Sequence, residues 1–240
     1  MKNPATMTPT EKDSYIFAKD QSQVFPSARF AWISDCLLGD IRTFWDGIEN
    51  YLYNKSKLQD RGGGNLSVPV IISTALEFAS ALYAGENKYR DGTPYNATKN
   101  VQEFINHFFP DNYKKFPLLL WDGIRNGIVH TFSPKAFEYQ GRYVRFQFYV
   151  EDRNVKSYVV EVNNTILIKV NVFELYQITK KAIEKYRAEL KTNEELKDRF
   201  ILAWSSVEEH SQNIDSDNDK SKEAKTLLAE LKKANNYLVL

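Results

Sequence analysis

The spacing of apolar residues predicts a chain made mostly of helices. Apolar positions recur at helical spacing across Ala28–Tyr53 and again across Ser67–Tyr83, where Gly85 marks the end of the helix. A third helix is predicted over about Ala97–Phe109. Pro117 suits the first turn of a helix, and the apolar run that follows it continues for about four turns.

A change of period after Pro134 predicts a small sheet. From there apolar and polar residues alternate, as they do in strands with one buried face. The three predicted strands, joined by short polar turns, are Tyr143–Val150, Lys156–Val162 and Thr165–Val170. Helical spacing returns at Val172–Leu190 and Glu194–Glu209. The predicted fold class is mainly α, with a small three-stranded antiparallel β meander inserted before the last long helices.

Polar segments set the predicted domain limits. Residues 1–27 are polar and contain three prolines, which predicts an N-terminal arm with little regular structure. Residues 28–210 are predicted to form the helical domain, with the meander at about 143–170. Residues 211–240 are predicted to form an acidic linker, solvated because it is rich in Ser, Asp and Asn, and a short C-terminal helix.

The composition limits the classes of function. Lys and Arg number 32 against 31 Asp and Glu, and this net charge of +1 argues against a broadly basic nucleic-acid binder. A polyanion would have to bind a local patch. Cys36 is the only cysteine, which excludes an internal disulfide, and the three histidines show no metal-ligand spacing. We therefore expect no metal and no cofactor.

The apolar stretches predict a cytoplasmic protein without a membrane span. The first residues lack the apolar run of a secretory signal. The longest apolar stretch, Val68–Ala84, is marginally short for a span and carries Glu77 at its centre.

The six residues from Arg125 to His130 carry the candidate chemistry. At α-helical spacing Asn126 and His130 share one face, with Gly123 and Gly127 beside them. An interior glycine costs about 0.5–1 kcal/mol relative to alanine, and close approach of another backbone is the simplest reason for it. Arg125 points elsewhere, but its long side chain can reach a phosphate. An ordinary helix crossing, with a histidine that only forms structural hydrogen bonds, explains the same spacing. A functional site and a structural crossing therefore both stay open.

The pattern Arg-Asn-x-x-x-His resembles the Arg-x(4–6)-His motif of HEPN domains (higher eukaryotes and prokaryotes nucleotide-binding). The resemblance covers roughly residues 28–190, and the position of the motif, after an aromatic-rich helix and a run of leucines, supports it. HEPN domains are compact helical bundles, often dimeric, and many are metal-independent ribonucleases of toxin–antitoxin or phage-defence systems. The resemblance implies an HEPN-like antiparallel helical bundle for this chain.

The resemblance also implies roles for particular residues. Arg125 and His130 would be the catalytic pair, with Asn126 in support. Some HEPN domains carry a further Glu-x-Lys motif on an earlier helix, where this chain has Glu77-Phe78-Ala79. The implied activity is cleavage of RNA that leaves 2′,3′-cyclic phosphate ends. The alternatives are a non-catalytic HEPN module that binds nucleotide, RNA or a partner protein, and a helical interaction protein with an aromatic groove.

The chemistry of such a cleavage suits these residue types. It needs a base for the 2′-hydroxyl proton, an acid for the leaving 5′ oxygen and a cation for the phosphorane charge. Histidine serves either proton-transfer role, because its unperturbed pKa is about 6.5, and the arginine fork matches phosphate oxygens. Between residues 112 and 145 six cations face two carboxylates: Lys114, Lys115, Arg125, Lys135, Arg142 and Arg145 against Asp122 and Glu138.

A homodimer through the Arg125–His130 helix is the last expectation. The motif supplies one histidine per chain, and a two-fold axis near His130 would add its symmetry mate. Gly123 and Gly127 would allow the close approach, and HEPN sites are typically composite across a dimer. Alternatively, these glycines face the chain's own first or second helix. The other expected partners are an RNA substrate and a nucleotidyltransferase-type antitoxin.

Overall fold

The computed structural model describes residues 2–18, 29–31, 38–43, 67–86, 95–129, 136–149, 155–209 and 218–233. Over these residues the chain is mainly helical, with one small sheet, as predicted. The main helices are α1 Pro9–Phe17, α2 Ser67–Ala84, α3 Ala97–Phe108, α4 Asp111–Lys114, α5 Pro117–Asp122, α6 Val172–Leu190, α7 Glu194–Glu209 and α8 Asn218–Lys233. Shorter helical stretches are Pro4–Thr6, Arg29–Ala31 and residues 38–43, and a π-helical segment, Gly123–Val129, continues α5.

Helix α2 joins the parts of the helical core. It packs against α3, α6, α7 and the π-helical segment. By length and composition it could span a membrane, but 56% of it is buried inside the protein, as in a core helix. It ends as predicted at Gly85, where φ is +73° and the N–H of Glu86 donates to the carbonyl of Ala81 at 3.0 Å. This left-handed glycine cap stops the helix and satisfies its last carbonyls.

Aromatic side chains fill the space between α2, α3 and α6. The ring of Tyr186 on α6 lies 5.8 Å, between centroids, from each of Tyr83, Phe104 and Phe30. Tyr186 is fully buried, and no group among the described residues forms a hydrogen bond with its hydroxyl. Burial raises the pKa of this phenol well above its ordinary value.

Helix α1 lies inside the predicted arm, so the expectation of little regular structure in residues 1–27 is wrong for this part. The hydroxyl of Thr8 accepts from the N–H of Glu11, whose carboxylate accepts from the N–H of Thr8 at 2.7 Å. This capping box, with Pro9 at the first helical position, starts the helix. Ile16 is fully buried, and α1 packs on α7. The prolines therefore begin structure here instead of preventing it.

The sheet differs from the predicted three-stranded antiparallel meander. It has four strands, β1 Ala136–Tyr139, β2 Arg142–Tyr149, β3 Tyr158–Val162 and β4 Thr165–Asn171, in the order β1-β2-β4-β3. The pairs β1–β2 and β3–β4 are antiparallel, whereas the central pair β2–β4 is parallel. The prediction was therefore wrong in the number of strands and in the pairing at the centre.

Two tight hairpins explain this architecture. Gln140 and Gly141 have φ values of +51° and +72°, and Asn163 and Asn164 have values of +46° and +61°. Positive φ at both central residues of a two-residue loop matches the twist of an antiparallel pair. The Asn-Asn turn was predicted, but the Gln-Gly turn was not, and β1 was missed with it. The predicted turn at 152–154 lies outside the described residues.

The C-terminal part is only partly described. The linker was predicted over residues 211–222. Helix α8 begins at Asn218, so residues 218–222 are helical. Residues 211–217 lie outside the described residues. Leu227 and Leu228 on α8 are exposed.

Candidate functional site

The helix that carries Arg125 changes geometry just before that residue. Pro117 stands at the start of α5, as predicted, and the backbone is π-helical from Gly123 to Val129. In a π-helix the hydrogen bonds join residues five apart, so each turn is wider than in an α-helix. Such segments are rare in proteins, and many of those that occur lie at functional sites. The unusual backbone coincides with the motif.

The predicted shared face of Asn126 and His130 stays a prediction. The backbone from Gly123 to Val129 is π-helical, and residues four apart lie on nearly the same side of a π-helix, as they do in an α-helix. His130 and the side chain of Asn126 lie outside the described residues.

Gly123 is a site of close approach, but the neighbour is not another helix. A Cβ atom at this position would lie 2.7 Å from Cδ2 and 2.9 Å from Cε2 of the Phe146 ring. Phe146 is buried and belongs to β2 of the same chain. The expectation that Gly123 admits a symmetry mate, or the chain's own first or second helix, is therefore wrong. Gly127 is buried, and the homodimer itself stays a prediction.

Arg125 is held by a carboxylate on α2. Its Nε donates to Oε2 of Glu77 at 3.1 Å, and the hydroxyl of Tyr95 donates to Oε1 of Glu77 at 3.0 Å. Thus Glu77 joins the motif arginine to the segment before α3. The side chains of Arg125 and Glu77 are 35% and 29% exposed, so solvent reaches the pair.

The surroundings keep Tyr95 in its protonated form. Burial raises the pKa of Tyr95 well above its ordinary value, and the negative charge of Glu77 adds to the effect. The phenol is therefore a hydrogen-bond donor at neutral pH. Asn96 caps α3 by accepting from the N–H of Lys99 at 3.0 Å, which fixes the backbone beside Tyr95.

Trp121 completes this side of the site. The guanidinium carbon of Arg125 lies 6.0 Å from the centroid of the Trp121 ring, near the outer limit of a cation–π contact. Trp121 is 1% exposed, and within the part of the chain that the structure describes its buried indole N–H has no hydrogen-bond acceptor. An unpaired buried donor costs about 1–3 kcal/mol. The arginine is thus oriented by a carboxylate and an aromatic ring.

Sequence reasoning missed two residues of this site. Glu77 was noted as a charge within an apolar helix and as the first residue of the stretch that stands where some HEPN domains carry Glu-x-Lys, but not as a partner of Arg125. That position was itself the signal, because a carboxylate in such a helix needs a paired cation or a hydrogen-bond donor. Tyr95 gave no signal, since it lies in a polar stretch between two helices.

The remaining histidines lie away from this cluster or are not described. Nε2 of His107 lies 3.0 Å from Oε1 of Glu189, and the ring packs against Tyr83 at the edge of the core. His210 lies outside the described residues. Within the described part of the chain, no group of three His, Cys, Asp or Glu side chains is placed to hold a metal ion.

Comparison with known proteins adds no family. No family model matches the chain, and no curated protein or solved structure is significantly similar to it. The resemblance to HEPN domains therefore stays a prediction.

Proposed function

We propose that this chain is a metal-independent endoribonuclease of the HEPN type. One observation carries the proposal: Arg125, five positions before His130, is oriented by Glu77 on a π-helical segment while its side chain stays 35% exposed. A guanidinium held in this way can receive a phosphate without first being ordered. His130 then takes the 2′-hydroxyl proton or protonates the 5′ leaving oxygen, and Arg125 stabilises the phosphorane charge.

The strength of the Arg125–Glu77 pair is compatible with this role. Ion pairs open to solvent contribute about 0–1 kcal/mol, because water screens the charges. A phosphate group, which accepts charge-assisted hydrogen bonds from an arginine fork, can compete with an interaction of that size. Glu77 therefore orients Arg125 without removing it from a substrate.

The proposal includes the assembly and the setting. Two copies of the chain would pair so that each supplies one His130 to a composite site. Such an enzyme would act in the cytoplasm as a toxin or a phage-defence protein, restrained by a nucleotidyltransferase-type antitoxin. Light scattering at micromolar concentration tests the first part, and a monomer would contradict the composite site.

The decisive experiment is an RNA cleavage assay in EDTA. We expect 5′-labelled RNA to be cut to products that end in a 2′,3′-cyclic phosphate. His130→Ala should lower the rate by about 10²–10⁴-fold, the usual contribution of a general acid or base. Arg125→Ala should lower it too, whereas Arg199→Ala, which removes another arginine paired with a glutamate, is the matched control. Absent cleavage, or equal cleavage by His130→Ala, would contradict the proposal.

One observation favours a second candidate, a non-catalytic RNA- or nucleotide-binding module. The carboxylate of Glu77 already neutralises Arg125, as expected if the pair only joins α2 to the π-helical segment. This alternative predicts saturable RNA binding without turnover. His130→Ala would then bind RNA as tightly as the wild type.

A further inference from the structure

The outer face of the sheet is built differently from its inner face. In the inner face Val144, Phe146 and Phe148 of β2 are buried, beside Ile168 and Val170 of β4. Strand alternation directs their neighbours to the opposite side. By the pairing register the outer face carries Glu138 of β1, Tyr143, Arg145 and Tyr149 of β2, Tyr158 of β3 and Lys169 of β4. This outer face is largely open to solvent.

Exposed tyrosines on the outer face are paired with cations. The guanidinium carbon of Arg145 lies 5.4 Å from the centroid of the Tyr143 ring, and Nζ of Lys169 lies 5.4 Å from that of Tyr158. Tyr143 and Tyr158 are 47% and 46% exposed. The ring of Tyr149 packs edge-on against Tyr158 at 6.4 Å. Two aromatic–cation pairs with exposed rings therefore lie on one surface.

The two pairs are separated by a span that suits a chain ligand. Tyr143 lies opposite Thr165, and Tyr158 lies opposite Lys169, so the rings are four residues apart along the strands and two strands apart across them. Strand rise and spacing place them about 16 Å apart. One base cannot contact both rings, whereas a few consecutive nucleotides can.

The charge of the outer face also selects the ligand. Its charged residues in the described strands are two cations, Arg145 and Lys169, and one carboxylate, Glu138. The whole chain has a net charge of only +1, so this excess is local. Rings on which bases stack, beside cations that meet phosphates, are the two elements of single-strand recognition.

We infer that the outer face of the sheet is a binding platform for single-stranded RNA. The choice of RNA rests on the proposed function, and the platform extends that function by naming where the substrate is held. Tyr143 and Tyr158 stack against bases, while Arg145 and Lys169 contact the phosphates.

The platform and the candidate site share one strand. Phe146 of β2 projects inward and its ring covers Gly123, two residues before Arg125, while Arg145 projects outward. The RNA and Arg125 are therefore on opposite sides of β2. A bound RNA has to pass around an edge of the sheet to reach Arg125. The platform therefore contributes to the affinity for the substrate and not to the chemical step.

The test measures binding separately from cleavage. Fluorescence anisotropy of a labelled single-stranded RNA is recorded in the His130→Ala background, where cleavage is removed. We expect Tyr143→Ala and Tyr158→Ala each to raise the Kd by about 5- to 100-fold, the usual effect of losing a base-stacking ring. Tyr143→Phe should bind as before, because it keeps the ring. The matched control is Tyr139→Ala, since Tyr139 is 63% exposed but its register places it on the inner face.

Salt and kinetics supply independent readouts. Arg145→Gln and Lys169→Gln should each flatten the dependence of log Kd on log salt, because fewer counterions are released. In cleavage assays the tyrosine variants should raise KM and leave kcat unchanged. RNA that binds through the tyrosines but is never cut supports the platform and contradicts only the ribonuclease. An unchanged Kd in both alanine variants would overturn the inference.

Discussion

Replacing Gly123 with alanine tests how the sheet is joined to the candidate site. The residue has right-handed helical dihedrals, φ −64° and ψ −39°, so alanine brings no backbone strain there. Its Cβ would lie 2.7 Å from the Phe146 ring, closer than side-chain carbons pack. Phe146 is 5% exposed, and its ring lies 6.1 Å from Phe148 and 6.4 Å from Phe137, so it has little room to move.

Two opposing effects set the magnitude. Forcing an extra methyl group into a packed core costs about 1–3 kcal/mol. The gain in helix propensity from glycine to alanine is about 1 kcal/mol. We therefore expect Gly123→Ala to lower the free energy of unfolding by about 1 kcal/mol, and by about 2 kcal/mol at most. In a chain of this length, each kcal/mol lowers the melting temperature by about 2–4 °C.

The assay is urea denaturation followed by circular dichroism. Gly39→Ala is the matched control, because no atom of the described residues lies within 4 Å of a Cβ there, and the substitution should stabilise the protein. The double variant Gly123→Ala/Phe146→Leu should lose less free energy of unfolding than the sum of the losses in the two single variants. The reason is that the smaller leucine side chain relieves the overlap with the alanine Cβ. A Gly123→Ala protein that gains about 1 kcal/mol of stability, the full benefit in helix propensity, would refute the packing of Phe146 on this glycine.

Three further predictions follow from the core and the site. Tyr186→Phe removes a buried, unpaired hydroxyl, so its unfolding free energy should rise by about 1 kcal/mol in urea titrations. The folded protein also holds the Tyr186 proton to higher pH than the unfolded chain, so the free energy of unfolding should fall as the pH rises above about 10. In Tyr186→Phe this fall should be less steep. An equally steep fall in both proteins would contradict the burial of the phenol. Thr8→Ala breaks the capping box with Glu11 and should cost about 1 kcal/mol, seen as faster proteolysis within α1. Glu77→Gln should slow RNA cleavage by misorienting Arg125 while keeping the acceptor for Tyr95, whereas a wild-type rate would show that the ion pair has no part in catalysis.

Local signals in the sequence were enough to place most helices. Gly85 ends α2 because its left-handed backbone cannot continue a helix, and Pro117 begins α5 because proline lacks the N–H that a first turn leaves unused. Each signal acts within a few residues, so one sequence window contains it. The missed helix α1 follows the same rule, since its capping box was present at Thr8 but was outweighed by the polar composition.

The rest depends on contacts between distant parts of the chain. The order of the sheet follows from the parallel pairing of β2 with β4, which no turn between them encodes. The partner of Arg125 is 48 residues earlier, on α2, and its pairing with Glu77 becomes visible only when the helices pack. The π-helical backbone at Gly123 likewise has no signature in the spacing of apolar residues. The motif was therefore found from sequence, but its environment was not.

The parallel pairing of β2 with β4, called the parallel seam below, also has a consequence for the kinetics of folding. Each hairpin closes over a two-residue turn, a local event that takes about 1–10 μs in isolated hairpins. The parallel seam joins Tyr143 to Thr165, so it closes a longer loop and must form after the hairpins. Phe146, which lies against Gly123, belongs to the same strand β2. We therefore expect the surroundings of Arg125 to be assembled late in folding, with the chain passing through a stage in which the hairpins exist and the site does not.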